Sequence, residues 1–64
     1  MKIKYDKETD IMYIRFSDVE IAEGMEEKSG VMIDYGNDGK VVAIELLNAS
    51  KTTESPTGIV YEAV

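Results

Sequence analysis

Hydrophobic and polar residues alternate along three stretches of the chain, residues 12–16, 31–35 and 42–46. A period of two is typical of β-strands that bury one face, because successive side chains of a strand point to opposite sides of the sheet. The pattern predicts a mainly β protein, a small antiparallel β-meander sheet with a short C-terminal helix or strand.

The dipeptide Asp38-Gly39 indicates a tight turn between the second and third stretches. It suits a two-residue primed turn, in which both central residues need a positive φ. The register that follows gives the hairpin one wholly apolar face, because it pairs Val31 with Leu46, Ile33 with Ile44 and Tyr35 with Val42.

An earlier hairpin is predicted around the polar residues 7–10. A four-residue loop at this place pairs Ile3 with Ile14 and Tyr5 with Met12 on one apolar face. Together the two hairpins predict an apolar sheet face for which the sequence offers no long covering helix. A sheet must bury such a face, so we expect a second copy of the chain to cover it in a homodimer packed sheet on sheet.

Residues 17–29 carry signals for two structures. Ser17 and Glu20 have the spacing of a capping box and Gly30 could end a helix. Gly24 in the middle of the segment and a thin apolar stripe favour an irregular edge strand instead. The helix remains the alternative.

The chain is predicted to divide after residue 50, with an antiparallel β-meander domain at 1–50. Residues 51–64 are predicted to be a linker and a short C-terminal apolar segment. The linker is polar and contains the only proline, whereas Ile59–Val64 has strong β propensity. The role of this last segment is left open.

Composition restricts the chemistry. The 64 residues include 7 Lys and Arg against 13 Asp and Glu, a net charge of −6, and no His, Cys or Trp. There is room for one domain, and no disulfide, thiol nucleophile or imidazole base can form, so we expect no cofactor and no metal. The acidic balance argues against nucleic acid. No apolar run is long enough to span a membrane, and the N-terminus lacks a signal-peptide pattern, which predicts a cytoplasmic protein.

The spacing Asp6-x-Glu8-x-Asp10 resembles the opening of a calcium-binding loop. The later positions of such a loop are occupied by Ile11 and Ser17 where glycine and glutamate are needed. We therefore interpret these carboxylates as a solvated hairpin turn.

On the face opposite the apolar one, the predicted register places a set of polar residues that forms our candidate binding site: Tyr13, Arg15, Asp34 and Glu45. Arg15 is expected to bridge the two carboxylates and so to offset the like charge of Lys2 opposite it. Cross-strand salt bridging alone explains this stripe. The functional alternative is a small anion or peptide site with Arg15 as its anchor. No catalytic residue is assigned, because a carboxylate pair needs a cleft and one raised pKa to act as acid and base.

Two stretches, Lys2–Arg15 and Gly30–Ser50, resemble the prokaryotic family known as domain of unknown function 2283, over about residues 2–50. The family has no established activity. The resemblance implies a small protein encoded beside another small protein, an arrangement that suggests a toxin–antitoxin pair.

The sequence thus favours a non-enzymatic, acidic protein-interaction module, an antitoxin-like partner of a small basic protein. The residues expected to steer that partner are Glu20, Glu23, Glu26 and Glu27. The alternative is a small-ligand binder or weak carboxylate-based enzyme at a homodimer interface.

Overall fold

A computed structural model describes all residues, 1–64, and shows a mainly β protein, as predicted. The elements are β1 (Lys2–Asp6), β2 (Ile11–Arg15), β3 (Glu23–Lys28), β4 (Val31–Tyr35), β5 (Val41–Leu47) and α1 (Ala49–Thr52). All strand pairs are antiparallel in one five-stranded sheet of order β1-β2-β5-β4-β3. The order departs from a sequential meander at one point, because β2 pairs with β5 and its chain crosses to β3 at the far edge.

The β1–β2 hairpin has the predicted register. Ile3 pairs with Ile14, and Tyr5 pairs with Met12, around a loop of residues 7–10. The Asp6 side chain stabilises this loop by accepting hydrogen bonds from two backbone N–H groups of the turn, at 2.9 and 3.4 Å. This is the local bonding that favours Asp at the start of turns.

The β4–β5 hairpin has the predicted register at Val31 and Ile33, but the prediction at its turn is wrong. Tyr35 pairs with Val41 rather than Val42, and a bulge lies between Asp34 and Tyr35. Within this turn only Gly39 takes a positive φ, of 80°, and its N–H donates to the Gly36 carbonyl at 3.0 Å. The loop is thus a four-residue turn over residues 36–39 with glycine in the left-handed position, not a two-residue primed turn. Because the loop is longer than predicted, pairing beyond Asp34 shifts by one residue.

The segment that carried mixed signals contains an edge strand, the favoured interpretation. β3 pairs with β4 on one side only and every one of its residues is exposed. Gly30, at φ 81°, takes the left-handed conformation in the turn to β4. Residues 16–22 form the irregular crossover that precedes β3.

The sheet has no second layer. Only 6 of 64 residues are buried, and one of the six is the charged Asp34. The apolar face combines residues of all five strands, among them Ile3, Met12, Ile14, Met25, Val31, Ile33, Ile44 and Leu46. Five of these eight side chains are half-buried, Ile3 and Met25 are exposed, and only Met12 is buried.

The short C-terminal helix is present as α1. It has four residues, and Ala49 is fully buried. A helix of this length is far too short to cross a membrane. Residues 53–64 form neither helix nor strand. Within them Ile59, Val60 and Tyr61 are 60%, 84% and 79% exposed, so the apolar end of the chain does not cover the sheet. The division after residue 50 stays a prediction.

Candidate functional site

The polar face of the sheet is built from two neighbouring rows of side chains. One row runs across all five strands as Lys2, Arg15, Ala43, Asp34 and Gly24. The next row runs in the same order as Lys4, Tyr13, Glu45, Met32 and Glu26. All four predicted site residues therefore lie on one face of three adjacent strands, β2, β5 and β4.

Arg15 does not bridge the two carboxylates, contrary to expectation. Its Nε donates to the Ser17 carbonyl at 2.7 Å and its Nη2 donates to the Val19 carbonyl at 2.8 Å. Its Nη1 donates to the Tyr13 hydroxyl at 3.2 Å. The small Ala43 lies between Arg15 and Asp34 in this row. The guanidinium is bonded instead to the crossover, residues 16–22, which follows β2. The crossover has no regular secondary structure, so its carbonyls are open to such side-chain donors.

Asp34 and Glu45 form a carboxyl pair of their own. Asp34 is only 7% exposed, since its strand neighbours Ala43 and Gly24 leave room for its side chain against the sheet. A Cβ at Gly24 would lie 2.8 Å from Asp34 Oδ1, which shows how closely that backbone approaches. Burial raises the pKa of Glu45, and the charge of Asp34 and a hydrogen bond with it raise this pKa further. The neighbouring Asp34 thus makes ionisation of Glu45 less favourable than it would be in water.

A shallow depression of about 620 Å³ lies on this face. Its lining includes three of the predicted site residues, Tyr13, Arg15 and Glu45, together with Lys2 and Lys4 from the edge strand. Asp34 is not part of the lining and is almost fully buried. The predicted set thus separates into a solvent-facing group around Arg15 and a buried carboxyl at one side.

Asp10 has a structural role that the sequence interpretation missed. Its carboxylate accepts hydrogen bonds from the Tyr5 hydroxyl at 2.6 Å, the Ser50 N–H at 3.0 Å and the Ser50 Oγ at 2.6 Å. The Ser50 and Tyr5 hydroxyl bonds lower the pKa of Asp10, and the Asp10 bond raises the pKa of Tyr5. The carboxylate thus ties the first hairpin loop to α1 and is not simply solvated. No group of three or more carboxylates is arranged to hold a metal ion.

The four glutamates predicted to steer a partner lie at one edge of the sheet. Glu20 belongs to the crossover, while Glu23, Glu26 and Glu27 belong to β3, and all four are exposed. Glu27 accepts a hydrogen bond of 2.7 Å from the Tyr35 hydroxyl, and this bond raises the pKa of Tyr35. We call these four residues the acidic edge.

Comparison with known proteins identifies a family. The family model of a protein of unknown function, DUF2283, matches residues 2–50, which is most of the chain and includes the whole sheet. Neither the curated proteins nor the solved structures contain a significant match. On the strength of the family model, the chain belongs to the DUF2283 family of proteins of unknown function.

Proposed function

We propose that the chain is a cytoplasmic, non-enzymatic interaction module that acts as a homodimer, with the apolar sheet face of one copy packed against the same face of another. The observation that carries this proposal is the single-layer fold, in which most apolar residues of the sheet face stay half-buried or exposed and only Met12 and Val42 are buried. A sheet that is apolar on one face is stable only when a second layer excludes water from it.

The exposed area supports the same conclusion. The chain exposes 5018 Å², whereas a compact monomer of 7.1 kDa is expected to expose about 4,100 Å². The difference is about 900 Å², and both the open sheet and the exposed residues 59–64 contribute to it. A standard interface buries about 800 Å² of each partner, an area of the same order as this difference.

A second copy is the favoured occupant for a geometric reason. Two identical twisted sheets can pack face to face about 10 Å apart with their strands nearly aligned. The two-fold axis of such a pair would pass close to Ile44, which lies on the central strand between Ile14 and Ile33. Each copy then presents the same row of isoleucines to the other, as a symmetric interface requires.

The test compares two neighbouring positions on β4 that point to opposite faces. Ile33 lies on the apolar face and Met32 on the polar face, and both are half-buried. In sedimentation equilibrium at micromolar concentration, we expect wild type and Met32→Ser to be dimers and Ile33→Ser to be largely monomeric. Far-UV circular dichroism checks that each variant retains the sheet. A folded wild type that is monomeric, or equal dissociation of both variants, would refute the proposal.

We further propose that the acidic edge binds a small basic protein. β3 is an edge strand with exposed residues throughout, and its outer backbone N–H and C=O groups have no strand partner. A basic strand could add to this edge, with backbone hydrogen bonds providing affinity and the glutamates providing specificity and a fast encounter.

Matched charge variants test this second surface. One variant changes the acidic edge to Gln, and its control removes the same number of charges at exposed positions elsewhere: Glu8, Asp38, Glu54 and Glu62. In pull-downs from native extract, we expect wild type and control to retain one basic protein at near one-to-one stoichiometry, and the edge variant to lose it. Equal retention by both variants, or recovery of no basic protein, would contradict the proposal.

A further inference from the structure

Arg15 has more hydrogen-bond donors than the fold uses. A guanidinium carries five N–H groups, and three of them donate to Ser17, Tyr13 and Val19. One N–H on each terminal nitrogen is therefore left without a partner in the chain. Because three bonds already fix the guanidinium, an anion that meets the two free N–H groups would bind without ordering a flexible side chain.

The positively charged side chains beside Arg15 favour the binding of an anion at this place. Lys2 lies directly opposite Arg15, and Lys4 lies opposite Tyr13 on the same face. Like charges that face each other across strands are destabilising. Asp34 does not offset them, because it is buried and lies outside the depression, and Asp6 and Glu45 oppose only two of the three positive charges. Three of the seven cationic side chains of an acidic protein thus gather around one depression.

We propose that this depression, lined by Lys2, Lys4, Tyr13 and Arg15, binds a small organic monocarboxylate. The carboxylate accepts hydrogen bonds from the free N–H groups of Arg15 and from the Tyr13 hydroxyl, which accepts from Arg15 and so keeps its own proton to donate. Ile11 supplies an apolar patch in the lining, and the volume of about 620 Å³ suits a small ligand.

The net charge of the lining favours a ligand with one negative charge over a ligand with two. Lys2, Lys4 and Arg15 are opposed by Asp6 and Glu45, which leaves a surplus of one positive charge. A dianion such as a phosphate ester would place its second charge near those carboxylates. This site lies on the face opposite the proposed dimer contact, so either proposal can fail without the other.

The test uses ligands that share a ring and differ in the polar group: benzoate, neutral benzamide and dianionic phenyl phosphate. Each is titrated into the ¹⁵N-labelled full-length chain at constant ionic strength, following the Arg15 side-chain signal and the backbone amides of β1 and β2. We expect saturable shifts with benzoate, none with benzamide and weaker binding of phenyl phosphate. Shifts of equal size from sodium chloride or benzamide, or tighter binding of phenyl phosphate, would overturn the proposal.

Variants locate the binding. Lys4→Gln should weaken benzoate binding about two- to fivefold, the effect of one exposed charge, and Tyr13→Phe about tenfold, through loss of a hydrogen bond to an anion. Lys40→Gln removes the same charge as Lys4→Gln from an exposed position on the 36–40 loop and should leave the affinity unchanged. Equal effects of Lys4→Gln and Lys40→Gln would show that the shifts report only net charge, and would refute the site.

Discussion

Val42 provides the sharpest test of how this small core is held together. It is 2% exposed and is the largest fully buried side chain. It packs against the backbone at Gly36, where a Cβ would lie 3.4 Å from Val42 Cγ2. Its neighbour Val41 has the same side chain on the other side of the strand and is 42% exposed. The Val42→Ala and Val41→Ala variants therefore remove the same atoms from two different environments.

The size of the effect follows from the buried atoms. Val42→Ala removes two methyl groups from the core, about 1.6 kcal/mol at roughly 0.8 kcal/mol per buried carbon. The residual cavity raises the total to about 2–2.5 kcal/mol. Val41→Ala should cost about 0.5–1 kcal/mol, mostly through β propensity. A single core in a domain of this size supplies only about 3–5 kcal/mol, so the Val42 variant should lose roughly half of its stability.

Urea unfolding at one fixed protein concentration measures both variants against wild type. The concentration must be held constant because association stabilises the folded state by mass action. We expect a lower midpoint for Val42→Ala with an unchanged m-value and a difference of at least about 1 kcal/mol between the two variants. Equal destabilisation by the two variants would refute the assignment of Val42 to the core.

Three further predictions concern the carboxylates and the glycine packed on one of them. Gly24→Ala should destabilise the fold by about 1–3 kcal/mol, because its Cβ would approach the buried Asp34 Oδ1 to 2.8 Å, and an unchanged melting temperature would show that Asp34 can move aside. Glu45→Gln should raise the free energy of unfolding at pH 7. The pKa of Glu45 is higher in the folded state than its ordinary value near 4.3, so its ionisation destabilises the fold at any pH above that value. That gain should vanish at lower pH, and a gain independent of pH would contradict it. Asp10→Asn should lower the free energy of unfolding at pH 7 relative to wild type. This difference from wild type should disappear as the pH falls through the lowered pKa of Asp10. A difference that persists in acid would point to a steric cause.

The hairpins could be predicted because two signals in the sequence agree. Alternation of apolar residues fixed which side chains share a face, and polar loops fixed which strands are neighbours, so Ile33 and Ile44 were paired correctly. The turn chemistry was less decisive. Gly36-Asn37-Asp38-Gly39 fits a longer turn with glycine in the left-handed position as well as a two-residue turn, and the structure has the longer one.

The pairing of β2 with β5 and the contacts of Arg15 depend on the crossover, for which the sequence has no periodic signal. The predicted bridge from Arg15 to the carboxylates assumed that opposite charges on one face meet. Instead, the backbone carbonyls of Ser17 and Val19 accept hydrogen bonds from the Arg15 guanidinium, because they lie on the chain that continues directly from β2. The role of Asp10 depends on Ser50, a contact between residues 40 positions apart, which no local pattern encodes.

The claim that identical apolar faces pack together can be measured directly. In an equimolar mixture of ¹³C-labelled and unlabelled chains, isotope-filtered nuclear Overhauser spectra detect only contacts between copies. We predict intermolecular signals among the methyl groups of Ile14, Ile33 and Ile44, which share the apolar face. Intermolecular signals confined to β3 or to residues 59–64, or none from a folded chain at millimolar concentration, would contradict the account.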